Sequence, residues 1–276
     1  MNATLRSRIK ATPLYRMYYM PYRLRFALSY FRGPIWDVFL WLFRSRETAN
    51  FSYDLDEMNV SYLASFISTV TGAKHQDARA YLDEVLADRD LKAHLVENAL
   101  DHHLGGMSDN TAKLGRRIGW YALVRILKPK VVVETGVEKG LGSCVLAAAL
   151  KKNTEEGFPG KYYGTELMPA GGGLLRQPYS NYGKILYGDS IESLKNLSEK
   201  IDFFINDSDH SADYEAREYE VIREKLAEKA VILGDNAHVT DKLQQFALRN
   251  GMKFLFFREK PKSHWYPGGG IGVAFR

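Results

Sequence analysis

Hydrophobic and polar residues alternate in two different ways along this chain, and the pattern changes near residue 105. Between residues 55 and 104, apolar residues recur every three or four positions, as in YLASFISTVTG and ARAYLDEVLADRDLKAHLVENAL. This spacing predicts helices, because residues three and four apart lie on one face of a helix. Beyond residue 108, helical patterns alternate with short apolar runs that predict strands. We therefore predict a helical N-terminal region, residues 1–104, and a second domain, residues 105–276.

The second domain contains seven predicted strands. They cover residues 130–135, 161–166, 184–188, 201–206, 230–234, 252–258 and 270–275. Helical segments are expected between the first six, after an initial helix that Ser108 or Asp109 would cap and that would carry Leu114 and Ile118 on its apolar face. Repeated strand–helix units predict an α/β fold, a doubly wound and mostly parallel sheet. The loop before the last strand is too short for a crossover helix, so that strand should be antiparallel.

The composition is ordinary for a globular protein except at the N-terminus. The single cysteine, Cys144, excludes an intrachain disulfide and fits a reducing compartment, so we expect a cytoplasmic protein. Residues 1–46 contain nine arginines and lysines against one acid, Asp37, and 11 of the 35 aromatic residues. The chain carries a net charge of +5, so this segment contributes +8 and the remainder −3.

The basic and aromatic N-terminal segment, residues 1–46, has three candidate roles. Its longest apolar run, residues 35–43, contains Asp37 and is far shorter than the ~20 residues that span a bilayer. The segment could contact an anionic membrane peripherally, or it could act as a lid or as an arm in a homo-oligomer. Nucleic-acid binding is the least favoured role, because the remainder of the chain is net acidic and shows no second basic patch.

Residues 131–143, VVVETGVEKGLGS, carry the most informative motif in the chain. An apolar strand ends at Glu134 and Thr135 and enters a glycine-rich turn that opens a helix. Glycines let a ligand approach the backbone, and the helix N-terminus offers N–H groups to an acidic group. Dinucleotide-binding turns have the order G-x-G-x-x-G, whereas this turn has G-x-x-x-G-x-G. That order resembles the first motif of class I S-adenosylmethionine (AdoMet) methyltransferases, which implies a Rossmann-like fold.

Polar residues follow the next two predicted strands. Glu166 lies 24 residues after Gly142, where an acid can accept hydrogen bonds from both ribose hydroxyls of a nucleoside. Asp189 and Ser190 follow the third strand, where the resemblance implies a contact with the adenine ring; Asp189 could also cap the next helix. The resemblance implies that the methionine part of AdoMet is framed by Glu134, Thr135, Gly136, Gly140 and Ser143.

The ends of the fourth and fifth strands carry the residues Asp207-Ser208-Asp209-His210 and Asp235-Asn236. This arrangement resembles the metal-dependent O-methyltransferases of the catechol and caffeoyl-CoA type over about residues 105–276. The resemblance implies that Asp207, Asp235 and Asn236 hold Mg²⁺, a cation that prefers oxygen ligands. It also implies that Asp207, together with Met107 and Ser108, contacts the cofactor. His210 stands where that family usually has lysine.

These residues predict an AdoMet-dependent O-methyltransferase assisted by Mg²⁺. His210 would take the proton from the acceptor hydroxyl, because imidazole is suited to proton transfer near neutral pH, and Asp207 would act beside it. Histidine is a weaker base than lysine, so the expected acceptor is an alcohol of a small molecule or glycan. Two alternatives remain: a metal-independent methyltransferase that uses His210 alone, and an inactive cofactor-binding scaffold that docks through its N-terminal half.

Overall fold

The computed structural model describes residue 10 and residues 12–99, 111–235 and 237–276. It divides into a smaller unit, Met1–Ser45 with Ser263–Tyr266, and a larger unit, Arg46–Lys262 with Pro267–Arg276. The boundary predicted after residue 104 falls outside the described residues and stays a prediction. The same holds for the cofactor contacts of Met107 and Ser108 and for the metal contact of Asn236. Within the described ranges, no helix combines the length and the apolar composition needed to cross a bilayer.

The smaller unit contains two helices, α1 (Pro13–Ser29) and α2 (Arg32–Arg44). The Thr12 hydroxyl caps α1 by accepting a hydrogen bond from the backbone N–H of Tyr15 at 3.3 Å. Residues 30–31 form a turn that separates the two helices, and Gly33 and Pro34 lie inside the first turn of α2. Proline is tolerated there, because the N–H groups of a first turn have no intrahelical partner.

The larger unit begins with three helices, α3 (Glu57–Thr71), α4 (His75–Ala87) and α5 (Arg89–Ala99). The prediction of one continuous helical run from residue 78 to residue 100 is wrong, because the helix breaks at Asp88. The backbone of Asp88 is extended, with φ −70° and ψ 97°. Its carboxylate accepts a hydrogen bond from the N–H of Leu91 at 2.9 Å. Aspartate favours this helix-capping position over a helix interior, so one run becomes two helices.

Helix α6 (Arg117–Leu127) starts later than predicted. Leu114 therefore precedes the helix, and the proposed caps Ser108 and Asp109 lie outside the described residues. Gly115 adopts a left-handed φ of 54°. Its N–H donates to the Tyr53 carbonyl at 2.9 Å, which prevents the helix from extending toward the N-terminus. The helix is buried along most of its length.

A seven-stranded sheet forms the centre of the larger unit. Its strands are β1 (Val131–Thr135), β2 (Lys161–Glu166), β3 (Gly183–Tyr187), β4 (Ile201–Asn206), β5 (Leu226–Asp235), β6 (Lys253–Arg258) and β7 (Gly270–Phe275). The spatial order is β3-β2-β1-β4-β5-β7-β6, with β7 antiparallel to both of its neighbours. The predicted doubly wound, mostly parallel fold with an antiparallel last strand is confirmed.

Helices follow most of the strands: α7 (Leu141–Glu155), α8 (Ser190–Asn196), α9 (Ala212–Ile222) and α10 (Lys242–Arg249). The helix expected between β2 and β3 is the exception, since residues 167–178 form turns and only Tyr179–Tyr182 form a short 3₁₀ helix. This segment contains MPAGGG, and proline and glycine are the poorest helix formers. The parallel strands all end at one edge of the sheet, where ligands bind in open α/β folds.

Candidate active site

The glycine-rich turn follows β1 and is shaped by contacts with the protein's own backbone. Gly136 and Gly140 adopt left-handed φ angles of 79° and 98°. A Cβ atom on Gly136 would overlap the carbonyl oxygen of Asp207, and one on Gly142 would overlap the carboxylate of Glu134. We expected these glycines to admit a ligand to the backbone. At Gly136 and Gly142 the absent side chain instead admits the neighbouring strand end and a buried acid.

Glu134 lies buried beneath this turn. Its carboxylate accepts hydrogen bonds from the hydroxyl of Tyr162 and, at 3.4 Å, from that of Ser143. The two hydroxyls are themselves 2.7 Å apart. Burial raises the pKa of Glu134 to about 7, although these hydrogen bonds oppose the shift. The side chain of Ser143, predicted to contact the cofactor, therefore points toward Glu134 and supports the turn from below.

Glu166, at the end of β2, connects the glycine-rich turn to the segment after β2 through two hydrogen bonds. One carboxylate oxygen accepts a hydrogen bond from the N–H of Glu138 at 2.7 Å, and the other accepts from Met168 at 2.8 Å. Each oxygen keeps a further lone pair, because a carboxylate can accept about four hydrogen bonds. The carboxylate predicted to bind ribose is thus held in a fixed orientation at the sheet edge.

Asp189 follows β3 and caps α8. One oxygen accepts from the N–H of Glu192 at 3.0 Å, and the other accepts from the Tyr214 hydroxyl at 3.0 Å. The backbone hydrogen bond from Glu192 is the main cause of the lowered pKa of Asp189, so the side chain is ionised. The structural role predicted for Asp189 is confirmed, and its exposed position leaves the adenine role open.

A buried acid that the sequence analysis missed, Glu218 of α9, joins three strand ends. Its carboxylate accepts hydrogen bonds from Thr135 at 3.2 Å, from Ser208 at 2.6 Å, and from Asn206. The other oxygen accepts from Ser190. Burial raises the pKa of Glu218, while these donors favour its ionised form. Two predicted cofactor residues, Thr135 and Ser190, therefore direct their hydroxyls to Glu218.

The sequence contained a signal for Glu218. Tyr214, Glu218 and Ile222 are four residues apart and therefore lie along one face of α9. Ile222 is buried in the core, so an acid on the same face has to be paired inside the protein. This periodicity identifies a buried acid, although it does not identify the donors that satisfy it.

Asp235, predicted to bind a metal, is engaged by an arginine. Both of its carboxylate oxygens accept hydrogen bonds from the guanidinium of Arg116. Arg116 also donates to the Tyr53 hydroxyl at 2.9 Å and to Glu259 at 3.0 Å, and the Tyr53 hydroxyl donates to Glu259 at 2.8 Å. These four side chains form a buried cluster, which we call the Arg116 cluster. A bidentate pair of this kind is the strongest hydrogen-bonded geometry for a carboxylate.

Asp207 lies close enough to Asp235 for each acid to influence the pKa of the other. Burial and the nearby charge of Asp235 raise the pKa of Asp207 well above its ordinary value. Burial acts in the same direction on Asp235, but Arg116 outweighs it and lowers the pKa of Asp235. The ionised form is therefore favoured more strongly at Asp235 than at Asp207.

Asp207 also lies next to two cationic or titratable side chains. Its Oδ1 atom is 4.0 Å from Nε2 of His210, and its Oδ2 atom is 4.0 Å from Nη2 of Arg117. A separation of 4.0 Å suits a bridging water better than a direct hydrogen bond. The side chain of His210 is 42% exposed, so an acceptor from solution can reach the imidazole. Asp207 and His210 therefore lie side by side after the end of β4.

Arg117 is a second site residue that the sequence analysis missed. Its guanidinium lies 5.3 Å from the ring centroid of Trp120, and the side chain is almost fully buried. Its Nε atom is buried and has no hydrogen-bond partner among the described residues. A buried donor without a partner is costly, so this N–H is a candidate contact for a bound anionic group. The signal was the pair of arginines directly before an apolar helix.

The described residues contain no cluster of three or more His, Cys, Asp and Glu side chains arranged to hold a metal ion. The two predicted acidic ligands, Asp207 and Asp235, do lie together. They face the guanidinium groups of Arg116 and Arg117.

Parts of this chain are similar to known proteins. Residues 133–237 match the sequence model of a family described as "Methyltransferase domain". A candidate O-methyltransferase from Klebsiella pneumoniae is 18% identical, with a TM-score of 0.51, over 71% of this chain and 94% of that one. A methyltransferase from Geobacter sulfurreducens is 19% identical, with a TM-score of 0.49, over 71% of this chain and 95% of that one. No curated protein matches the sequence. Residues 133–237 therefore resemble a methyltransferase domain, and the predicted fold is confirmed.

Proposed function

From a chain that carries a class I methyltransferase domain, we infer an AdoMet-dependent O-methyltransferase that uses His210 as its base. The acceptor is a hydroxyl of a small molecule or glycan. The observation that carries this proposal is the placement of His210 beside Asp207 at the end of β4, at the sheet edge that also holds the glycine-rich turn. An exposed imidazole at this edge can reach an acceptor hydroxyl that lies against the cofactor.

The residues around the turn fit AdoMet. The cofactor supplies a methyl group on a positively charged sulfur. Glu166, held by two backbone N–H groups, keeps lone pairs for the ribose hydroxyls. Asp189 is ionised and exposed at the next strand end, where it can accept from the adenine amino group. The buried Nε–H of Arg117 is the donor that suits the methionine carboxylate.

The described acids do not fit a magnesium ion as they lie. Mg²⁺ requires ionised oxygen ligands with free lone pairs, but both oxygens of Asp235 accept from Arg116, and burial beside Asp235 disfavours the ionised form of Asp207. A bound cation would have to displace the Arg116 guanidinium from a buried cluster. We therefore favour the metal-independent alternative and derive no step through a metal. In this proposal Arg116 and Arg117 supply the positive charge at the two acids.

The catalytic step requires one proton transfer and one bond exchange. The acceptor hydroxyl gives its proton to the His210 imidazole while its oxygen bonds to the methyl carbon, and the pair from the broken carbon–sulfur bond stays on sulfur. Positive charge thus passes from the sulfonium to the imidazolium. Asp207, whose Oδ1 atom lies 4.0 Å from Nε2 of the ring, orients the imidazole, which makes Asp207 a positioning residue. Fixing the reacting atoms in line supplies about 7–11 kcal/mol of barrier reduction.

The proposal predicts full activity in excess EDTA. S-adenosylhomocysteine should form at an unchanged rate when the protein is incubated with AdoMet, EDTA and a small-molecule cell extract as the source of acceptors. A catechol-type, magnesium-dependent methyltransferase assayed in parallel checks that chelation is complete. Activity that disappears in EDTA and returns with magnesium would show that the metal is required after all. Absence of S-adenosylhomocysteine under every condition would favour the inactive scaffold.

The proposal also predicts that Glu166→Ala weakens AdoMet binding at least tenfold. The variant loses two hydrogen bonds to a charged acceptor, each with a net contribution of about 1.5–3 kcal/mol. Isothermal titration calorimetry measures the affinity, and a thermal unfolding curve checks that the turn still folds without its two carboxylate contacts. Glu224→Ala is the matched control, because the Glu224 side chain is 88% exposed and remote from the sheet edge. Equal affinity in Glu166→Ala and wild type would refute this site.

A further inference from the structure

We propose that α1 and α2, which we call the N-terminal helix pair (residues 13–44), bind the surface of an anionic lipid bilayer. This inference rests on the surface of the helix pair alone and is independent of the proposed function. It assigns the segment a partner class, a negatively charged phospholipid interface, and a binding mode in which the helices lie along the membrane without crossing it.

The helix pair exposes an unusually large apolar surface. None of its residues whose side chains are described is buried. The exposed fraction is 77% for Tyr18, 59% for Trp36 and 75% for Phe43, and most other large apolar side chains of the pair are exposed as well. Soluble proteins seldom leave a contiguous apolar patch of this extent in water. We therefore expect a partner to cover the exposed apolar side chains of the helix pair.

The exposed rings form one stripe on each helix. In α2, Trp36 stacks on Phe39 with ring centroids 5.5 Å apart, and Phe39 contacts Phe43 at 4.9 Å. In α1, residues 18, 22 and 26 are aromatic at intervals of four, and Tyr30 continues the series directly after the helix. Residues three or four apart share a helix face, so each stripe is continuous along its helix. A continuous aromatic stripe suits a planar interface that contacts the whole helix.

The charges of the helix pair complement an anionic surface. Five arginines lie on the pair, all of them exposed: Arg16, Arg23, Arg25, Arg32 and Arg44. Asp37 is the only acid within residues 13–44. Arginine attracts anionic headgroups, and tryptophan and tyrosine favour the headgroup level of a bilayer. Exposed rings and exposed guanidinium groups on one helix pair therefore match the interfacial layer of an anionic membrane.

The dimensions of α2 set the binding mode. Its 13 residues make a helix about 20 Å long, shorter than the ~30 Å hydrocarbon core of a bilayer. The helix therefore lies in the interface. Exposed aliphatic residues such as Leu24, Ile35 and Leu42 also favour lipid over nucleic acid, because bases stack on aromatic rings and leave aliphatic side chains uncovered.

Vesicle flotation with the full chain tests the proposal. The protein should float with vesicles of phosphatidylcholine containing about one third phosphatidylserine, and it should float far less with phosphatidylcholine alone or at high salt. Trp36 is exposed, so its fluorescence should shift to shorter wavelength on binding, and Trp36→Phe should remove most of that shift. No flotation with anionic vesicles at low salt would overturn the proposal.

Two pairs of substitutions separate the contributions of the rings and the charges. Trp36→Ser with Phe39→Ser should lower the partition coefficient about tenfold or more. Arg23→Gln with Arg25→Gln should lower it about fivefold per arginine, and only for anionic vesicles. Leu248→Ser, at a residue that is 68% exposed, and Arg223→Gln are the matched controls in the larger unit and should leave partition unchanged.

Two further outcomes would overturn the membrane assignment. One is binding to a single-stranded oligonucleotide that depends on the same rings and arginines while vesicles show none. The other is a stable dimer in sedimentation velocity that Trp36→Ser dissociates and that does not bind vesicles. Methyl transfer is measured separately with soluble acceptors, so failure of this inference leaves the proposed activity untouched.

Discussion

His210→Ala lowers kcat for methyl transfer by about 10²- to 10⁴-fold, the usual contribution of a positioned general base. AdoMet affinity should stay within about twofold, because His210 contacts the acceptor side of the site in this proposal. The loss follows from the chemistry of the acceptor: an alcohol hydroxyl keeps its proton near neutral pH, so attack on the methyl carbon requires a base within hydrogen-bond reach. The measurement is S-adenosylhomocysteine formation under saturating AdoMet, with calorimetry for binding.

His238→Ala is the matched control for this prediction. His238 follows the end of β5, so it is a second histidine at the same sheet edge. Burial and the charge of Arg116 lower the pKa of His238. Its removal should leave kcat within about threefold of wild type, as expected for a side chain outside the transition state. Asp207→Asn should reduce kcat less than His210→Ala, because Asp207 acts on the acceptor only through the position of the His210 ring. Loss of activity in His238→Ala with none in His210→Ala would exchange the two roles.

The strands could be predicted from the sequence because their signals are local. Val131 to Val133 and Phe203 to Ile205 are short apolar runs, and turn residues bound them. The antiparallel last strand followed from the length of one loop. The helix boundaries were harder to predict, because Asp88 and Gly115 act through single contacts. The Asp88 carboxylate accepts a hydrogen bond from the N–H of Leu91, and the Gly115 N–H donates to the Tyr53 carbonyl. A pattern of hydrophobic residues cannot predict either of these contacts.

The candidate site could be predicted only where the topology itself brings residues together. Parallel strands all end at one edge, so acids after β2, β3 and β4 had to lie near the glycine-rich turn. Arg116 could not be found in this way. It is 119 positions before Asp235 and reaches it from the start of a helix. Glu218 likewise meets Thr135 across 83 positions. Tertiary packing decides which donor pairs with a buried acid. The sequence therefore predicted Asp235 as a metal ligand, because it gave no sign that Arg116 would pair with this acid.

Arg116→Met should destabilise the protein by about 3–5 kcal/mol, the cost of removing one partner from a buried ion pair. The variant leaves Asp235 and Glu259 buried without their shared cation. That loss is a large fraction of the ~5–15 kcal/mol that stabilises a typical domain. Urea unfolding followed by circular dichroism measures it. Arg79→Met is the matched control, because Arg79 pairs with Glu57 and Asp83 at the surface and should cost no more than about 1 kcal/mol.

The pH dependence of the Arg116→Met effect tests its cause. In the wild type, Arg116 lowers the pKa of Asp235, so this pair stabilises the fold above the unfolded-state pKa and loses its contribution as the pH falls toward the folded-state value. Without Arg116, burial alone raises the pKa of Asp235, and folding then favours the protonated acid. The variant should therefore lose more stability at about pH 8 than at about pH 5. Arg116→Met with Asp235→Leu should recover part of the loss, because no buried charge remains at residue 235, although Glu259 still lacks its cation. A loss of stability that does not change with pH, or no loss at all, would mean that Arg116 does not neutralise Asp235 and Glu259.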